Sequence, residues 1–264
     1  MSYKYYPNTK YELIWAMKKE IFEIQGIKNN PNWKADLNCI DTSRINDMSY
    51  LFCSSFQEGY GLHEFNGNIS GWDVGNVKST AYMFSGSNFN GDISKWDVGK
   101  IEYMSGMFED SKFNNDISKW NVGNVKNMGW MFYNAEFNQD ISQWNVNNVT
   151  DMYYMFAYSK FSGNISEWNI SNVVDMAFMF FNSKFSSDIG KWELNRNIRL
   201  DCIFDGCPLS EIKKGKLIIR ELIKNNRNVN KKALKELEKY IDEELKSRHI
   251  KNKRIKPKSP TRDL

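Results

Sequence analysis

Six positions directly after a tryptophan carry an acid or an amide: Asp73, Asp97, Asn121, Asn145, Asn169 and Glu193. A row of carboxylates is the raw material of a calcium site. Three of these six are asparagine, however, and no EF-hand or nonapeptide spacing accompanies them. A ladder of side chains bonding to neighbouring turns fits them better than a metal. Catalysis has less support. The only histidines, His63 and His249, are far apart in sequence, and there is no glycine-rich phosphate loop or G-x-S-x-G turn. Nothing singles out a carboxylate pair for glycoside chemistry. Cys39, Cys53, Cys202 and Cys207 form no CxxC pair. Cys202 and Cys207 are close enough in sequence to bridge, yet reduced thiols are expected in a chain without an export signal. The expectation is a protein that is not an enzyme, with no catalytic residues, no cofactor and no metal.

The elements that position these residues are repeats. Phe65, Phe89, Phe113, Phe137, Phe161 and Phe185 recur every 24 residues. Ile69, Ile93, Ile117, Ile141, Ile165 and Ile189 run in register with them, as do Trp72, Trp96, Trp120, Trp144, Trp168 and Trp192. A degenerate first copy spans Leu37 to Phe52, and an insertion, Gln57 to His63, follows it. Such a period with atypical ends predicts stacked units that share one continuous core. Changing a ladder Trp or Phe to Ala is expected to cost ~3–5 kcal/mol, so packing alone accounts for these residues. The methionine pairs read as flexible filler between copies.

Within a copy the apolar pattern changes period. Ile93, Trp96 and Val98 read as a short strand, with Lys95 and Asp97 turned outward. Val125, Met128, Met131 and Phe132 follow helical spacing. Gly123-Asn124 and Asn147-Asn148 supply the turns between. The I-x-x-W-x-V spacing followed by NV-x-x-M-x-x-MF resembles the BspA-like leucine-rich-repeat surface proteins, with the short repeats of mycoplasma lipoproteins, over about residues 37 to 205. That resemblance implies a leucine-rich-repeat-like solenoid used for binding rather than catalysis. The expected fold class is therefore an α/β solenoid of strand-turn-short helix units, capped by an N-terminal helix and two C-terminal helices.

The expected organisation is an N-terminal capping helix over 1–36, a repeat array over 37–207, a helical cap over 208–250 and a basic tail over 251–264. Thr9 and Glu12 have capping-box spacing, and Leu13, Met17, Ile21 and Ile24 form a helix face behind them. Asn230 reads as the N-cap of a last helix with Leu234, Leu237, Ile241 and Leu245 as its stripe. With both ends capped, a monomer is expected. From Pro208 onward there are 18 Lys and Arg against 8 Asp and Glu, net +10, which leaves 18 against 24, net −6, for residues 1–207. No secretory signal, lipidation cysteine or run of ~20 apolar residues is seen. A cytoplasmic location without membrane insertion is expected, with the cell surface as the alternative.

Departures from the repeat carry the binding candidates. Trp130, Tyr133, Tyr153, Tyr154, Tyr158, Phe178 and Phe181 stand where other copies have small or polar residues. Clustered aromatics of this kind make a protein-binding hot spot, although rings at the Tyr154 position would alternatively wedge between copies. Lys95, Lys119 and Lys191 form a second candidate on the outward face of the Ile–Trp segment. The expected function is non-catalytic binding of a partner protein, including inhibition or scaffolding of a nucleic-acid enzyme. One alternative is a cell-surface adhesin. Another is nucleic-acid binding through Lys251, Lys253, Arg254, Lys256 and Lys258 or through a nucleoprotein partner.

Overall fold

The computed structural model describes residues 3–24, 34–55, 60–211 and 213–241. The 24-residue copies stack as layers, joined by single parallel bridges that run Asp47, Ser79, Tyr103, Asn127, Asp151, Asp175 and Arg199.

Local side-chain bonds decide the path of each layer. Asp92 Oδ1 accepts the Ser94 N–H at 2.9 Å, and the Trp96 N–H closes a turn onto Ile93 O at 3.2 Å. Asp97 Oδ1 accepts the Gly99 N–H at 3.1 Å, and the Ile101 N–H closes a second turn onto Val98 O at 3.0 Å. Residues 92–101 are thus two tight turns sealed by Asp side chains. Five of the row that raised the question of calcium are used in this way, Asp73, Asp97, Asn121, Asn145 and Asn169 each bonding to its own turn.

From Tyr103 onward the backbone alternates. The N–H groups of Met104, Gly106, Phe108 and Asp110 donate to carbonyls of the next layer at 2.8–3.0 Å. Those of Met107, Glu109 and Ser111 donate three residues back within their own layer. The alternation needs left-handed backbone at two positions per layer. Gly106 and Asp110 have φ of 60° and 52°, and Trp130 and Asn134, then Tyr154 and Tyr158, then Phe178 and Asn182, repeat it.

This overturns the expected strand-turn-helix unit. Among the described residues there is no strand beyond isolated bridges, and no helix lies between Ile24 and Pro208. The segment read as a strand is broken by its Asp-capped turns. The segment read as a helix makes the bonds between layers instead, because its left-handed residues prevent a continuous i to i−4 ladder. Successive three-residue turns place Met128, Met131 and Phe132 inward just as a helix would, so spacing alone could not separate the two.

The core is a set of aromatic columns. Phe89, Phe113 and Phe137 stack 6.3 Å apart, and Phe84, Phe108 and Phe132 form a second column at 5.7 Å. Each ladder tryptophan is buried; from Trp96 to Trp192 the indole N–H donates to the isoleucine carbonyl of the preceding layer, as Trp120 does to Ile93 O at 3.1 Å, and Trp72 donates to Leu37 O at 3.0 Å.

Helix α1 (Lys10–Lys18) starts at Thr9, whose hydroxyl accepts the Glu12 N–H at 3.2 Å, while Glu12 reaches back to the Asn8 N–H at 2.7 Å. It continues as a π-helical segment, Lys19–Ile24, and buries Leu13, Met17 and Ile21. At the other end lie α2 (Pro208–Glu211), α3 (Lys213–Asn225) and α4 over residues 231–241. Asn230 caps α4 by accepting the Ala233 N–H at 2.9 Å. In inner layers the N–H groups of Phe178 and Phe180 donate to the following layer. The matching donors of the last layer find side chains on α4 instead. Cys202 N–H meets Glu236 Oε1 at 2.8 Å, and Phe204 N–H meets the Tyr240 hydroxyl at 3.2 Å. Helix α4 thereby closes the stack, and burial holds the Tyr240 phenol far above its ordinary pKa.

Candidate functional site

The structure brings all seven aromatic candidates together. The Trp130 and Tyr154 rings stack at 4.4 Å and 13°, and Tyr154 and Phe178 stack at 4.6 Å and 8°. Tyr153 packs edge-on against Trp130, Tyr154 and Phe178 at 5.7, 4.6 and 6.1 Å. Tyr133 meets Trp130 at 4.7 Å and Tyr158 at 5.5 Å, and Tyr158 continues to Phe181 at 5.4 Å. The cluster spans three consecutive layers.

Tyr158 is 45% exposed and the other six rings are half-buried. Their placement does not come from the outer face of a helix. Trp130, Tyr154 and Phe178 occupy the first left-handed position of their layers, and Tyr158 the second. Tyr154 does lie between its neighbours in the stack, while its ring belongs to the surface cluster as well. Large side chains at positive φ are uncommon and carry strain, which the ring-to-ring contacts offset.

The column extends further than the sequence disclosed. Tyr50 and Tyr82 occupy the same left-handed position and stack at 5.2 Å and 8°. Gly106 interrupts the column, and a Cβ built there would lie 2.2 Å from Tyr82 Cε1, so the Tyr82 ring covers this glycine. The eight residues around the insertion hide the register of Tyr50, which is 32 residues before Tyr82 rather than 24.

Carboxylates border the cluster. Glu109 and Asp110 lie one layer before Tyr133 and Asn134; burial, then Tyr158 and these two carboxylates, raises the Tyr133 phenol above its ordinary pKa. Burial, then Asp110, pushes the Glu109 carboxyl up. Asp151 Oδ1 accepts the Tyr153 N–H at 2.9 Å, and burial raises this carboxyl too. Arg199 lies 5.4 Å over the Tyr153 ring and pairs with Asp175 at 2.9 Å and Asp201 at 2.8 Å.

Lys95, Lys119 and Lys191 are exposed in one row with Gly71, Gln143 and Glu167. Lys191 lines a groove with Glu167, Trp168, Trp192 and Glu193. No hydrogen bond, ion pair or ring contact connects these lysines with the aromatic cluster among the described residues. Lys251, Lys253, Arg254, Lys256 and Lys258 lie outside the described residues, as do Leu245 and His249. Among the described residues no group of three His, Cys, Asp or Glu is placed to hold a metal ion, and no helix is long and apolar enough to cross a membrane. The four cysteines are free thiols. Sequence reasoning missed the rim formed by Glu109, Asp110 and Asp151, whose meaning depends on which rings they border.

The family described as "Mycoplasma protein of unknown function, DUF285" matches residues 19–136 and 111–215, which together cover most of the chain and all of the cluster. The chain belongs to this family. No curated protein and no solved structure matches it. Family membership accounts for the repeat and leaves the role of the cluster to its geometry.

Proposed function

We propose that the chain is a non-catalytic binding module that takes a partner protein on the face formed by Trp130, Tyr133, Tyr153, Tyr154, Tyr158, Phe178 and Phe181. One observation carries this reading: the fold does not require these rings. Layers with Gly106 in place of Trp130, Glu109 in place of Tyr133 and Gly129 in place of Tyr153 have the same hydrogen-bonded path. Asn134 and Asn182 hold the left-handed position that Tyr158 holds. Aromatic side chains beyond the needs of packing, gathered at a half-open surface, are the composition of an interface hot spot. The likeness of the repeat motif to the BspA-like surface proteins agrees with a binding role, as a likeness of sequence only.

Exchanging Tyr158 for Asn, the residue at that position in adjacent layers, tests the reading without touching the core. Partner proteins recovered from the native host with the wild-type chain are expected to be reduced roughly tenfold or more with Tyr158→Asn, the scale of a hot-spot side chain. Unchanged recovery would remove the cluster from the interface.

A further inference from the structure

We propose that the aromatic cluster receives a basic, arginine-bearing segment of its partner, with guanidinium groups laid over the rings between Glu109 and Asp110 on one side and Asp151 on the other. This inference rests on the binding role proposed above and adds the chemistry of the occupant.

Most of the buried and half-buried carboxylates of the chain are ion-paired. Glu20 pairs with Lys4, Asp47 with Lys10, Glu102 with Lys126, Glu136 with Lys160, Asp205 with Lys239, and Asp175 and Asp201 with Arg199. Among the described residues Glu109 and Asp151, like Asp41, are half-buried without an ion pair, and Asp110, exposed as Asp92 and Asp97 are, lies beside Glu109. Glu109 accepts from the Ser85 hydroxyl at 3.2 Å, Asp110 from Asn134 at 2.7 Å, and Asp151 from Asn127 at 2.9 Å and the Tyr153 N–H. All three are at the border of the cluster. Partial burial of an uncompensated carboxylate, as at Glu109 and Asp151, is unfavourable, and a cation arriving from outside relieves it.

The rings select the kind of cation. Aromatic faces grouped with carboxylates attract cations, and a planar guanidinium both stacks on rings and forks onto carboxylates, which an ammonium does not. The chain already contains this arrangement once. Arg199 lies over Tyr153 while its Nη1 and Nε reach Asp175 and Asp201. The partner's arginines would repeat, on the neighbouring rings, what Arg199 does at the border.

The test uses the full chain and three synthetic peptides of equal length, in which Gly-Ser spacers separate Arg, Lys or Glu residues. Titration is followed by tryptophan fluorescence and calorimetry. The Arg peptide is expected to bind at least tenfold more tightly than the Glu peptide and more tightly than the Lys peptide. The Glu109→Gln/Asp151→Asn double variant is expected to lose roughly tenfold, and the second change has a precedent in Asn127 at the same place in the preceding layer. Equal affinity for Arg and Glu peptides, or no effect of the double variant, overturns the proposal. Tighter peptide binding after Lys251, Lys253, Arg254, Lys256 and Lys258 are changed to Ser would place the chain's own end on the cluster and overturn the assignment to a partner. If the Arg peptide fails while partner recovery still depends on Tyr158, the occupant is wrong and the binding role stands.

Discussion

The Trp130 ring lies 4.4 Å from the Tyr154 ring, nearly parallel to it, and both residues hold left-handed backbone with φ of 63° and 56°. The pair joins the two themes of this protein. The same alternation that stitches the layers together also turns one side chain per layer toward its neighbours, and in three consecutive layers that side chain is aromatic.

Gly106 marks the place where this column is interrupted. Gly106→Ala is expected to destabilise the fold by about 1–3 kcal/mol, because positive φ disfavours the new Cβ and Tyr82 occupies its space. The second part is relieved by Tyr82→Ala. Chemical denaturation of the single and double variants measures the coupling, and additive effects would mean that the Tyr82 ring does not lie over the glycine.

The indole ladder makes a separate prediction. Trp120→Phe keeps a ring in the column but removes the donor to Ile93 O. Ile93 O keeps the Trp96 N–H, so the change removes one of its two hydrogen bonds, worth about 0.5–1.5 kcal/mol, and equilibrium unfolding should show a loss in that range. A loss below a few tenths would mean that water or a neighbouring donor replaces the indole.

The closing helix is tested by Tyr240→Phe. The Phe204 N–H then loses its acceptor and Glu236 loses a donor, again a cost of about 1–3 kcal/mol. Hydrogen exchange at Phe204 is expected to rise more than at Phe132, whose N–H donates to Met155 O in an inner layer. Equal changes at both amides would count against a local closing role.

A pH profile follows from Glu109. Its folded carboxyl is raised above the ordinary 4.5 by burial and Asp110, so its contribution to stability is fully present below 4.5 and is lost as pH rises through the folded value. Glu109→Gln removes that loss. Wild type and variant should converge in pH dependence below 4.5, and the variant should gain relative stability as pH rises above it. A constant difference across the range would show that Glu109 ionises freely.

The parts legible in the sequence were those governed by burial. The columns of Phe, Ile, Trp and Met are inward-facing as their 24-residue spacing predicts, and Thr9 and Asn230 cap helices as their positions predict. The backbone of the layer was not legible. Three-residue turns and a helix place Met128, Met131 and Phe132 on the same face, and the sequence shows only the face. The left-handed positions had one visible sign, the glycines Gly86, Gly106 and Gly206, but Tyr, Trp and Phe at equivalent places concealed it. The seven cluster residues were found by their departure from the repeat. Their acidic border was not, because Asp151 and Glu109 are far apart in sequence and meet only through stacking.

The central claim is that the cluster serves binding and not folding, and the variant Trp130→Gly/Tyr154→Gly/Phe178→Gly addresses both halves. Each exchange installs the residue that Gly106 carries in an otherwise equivalent layer. Lost ring stacking, about 0.5–1.5 kcal/mol per pair, is opposed by relief of about 1–3 kcal/mol at each left-handed backbone position. Thermal unfolding and partner recovery measured on the same samples should show a midpoint within about 5 °C of wild type and recovery close to background. A stable triple variant that still recovers its partners in full would contradict the account, and so would one that fails to fold.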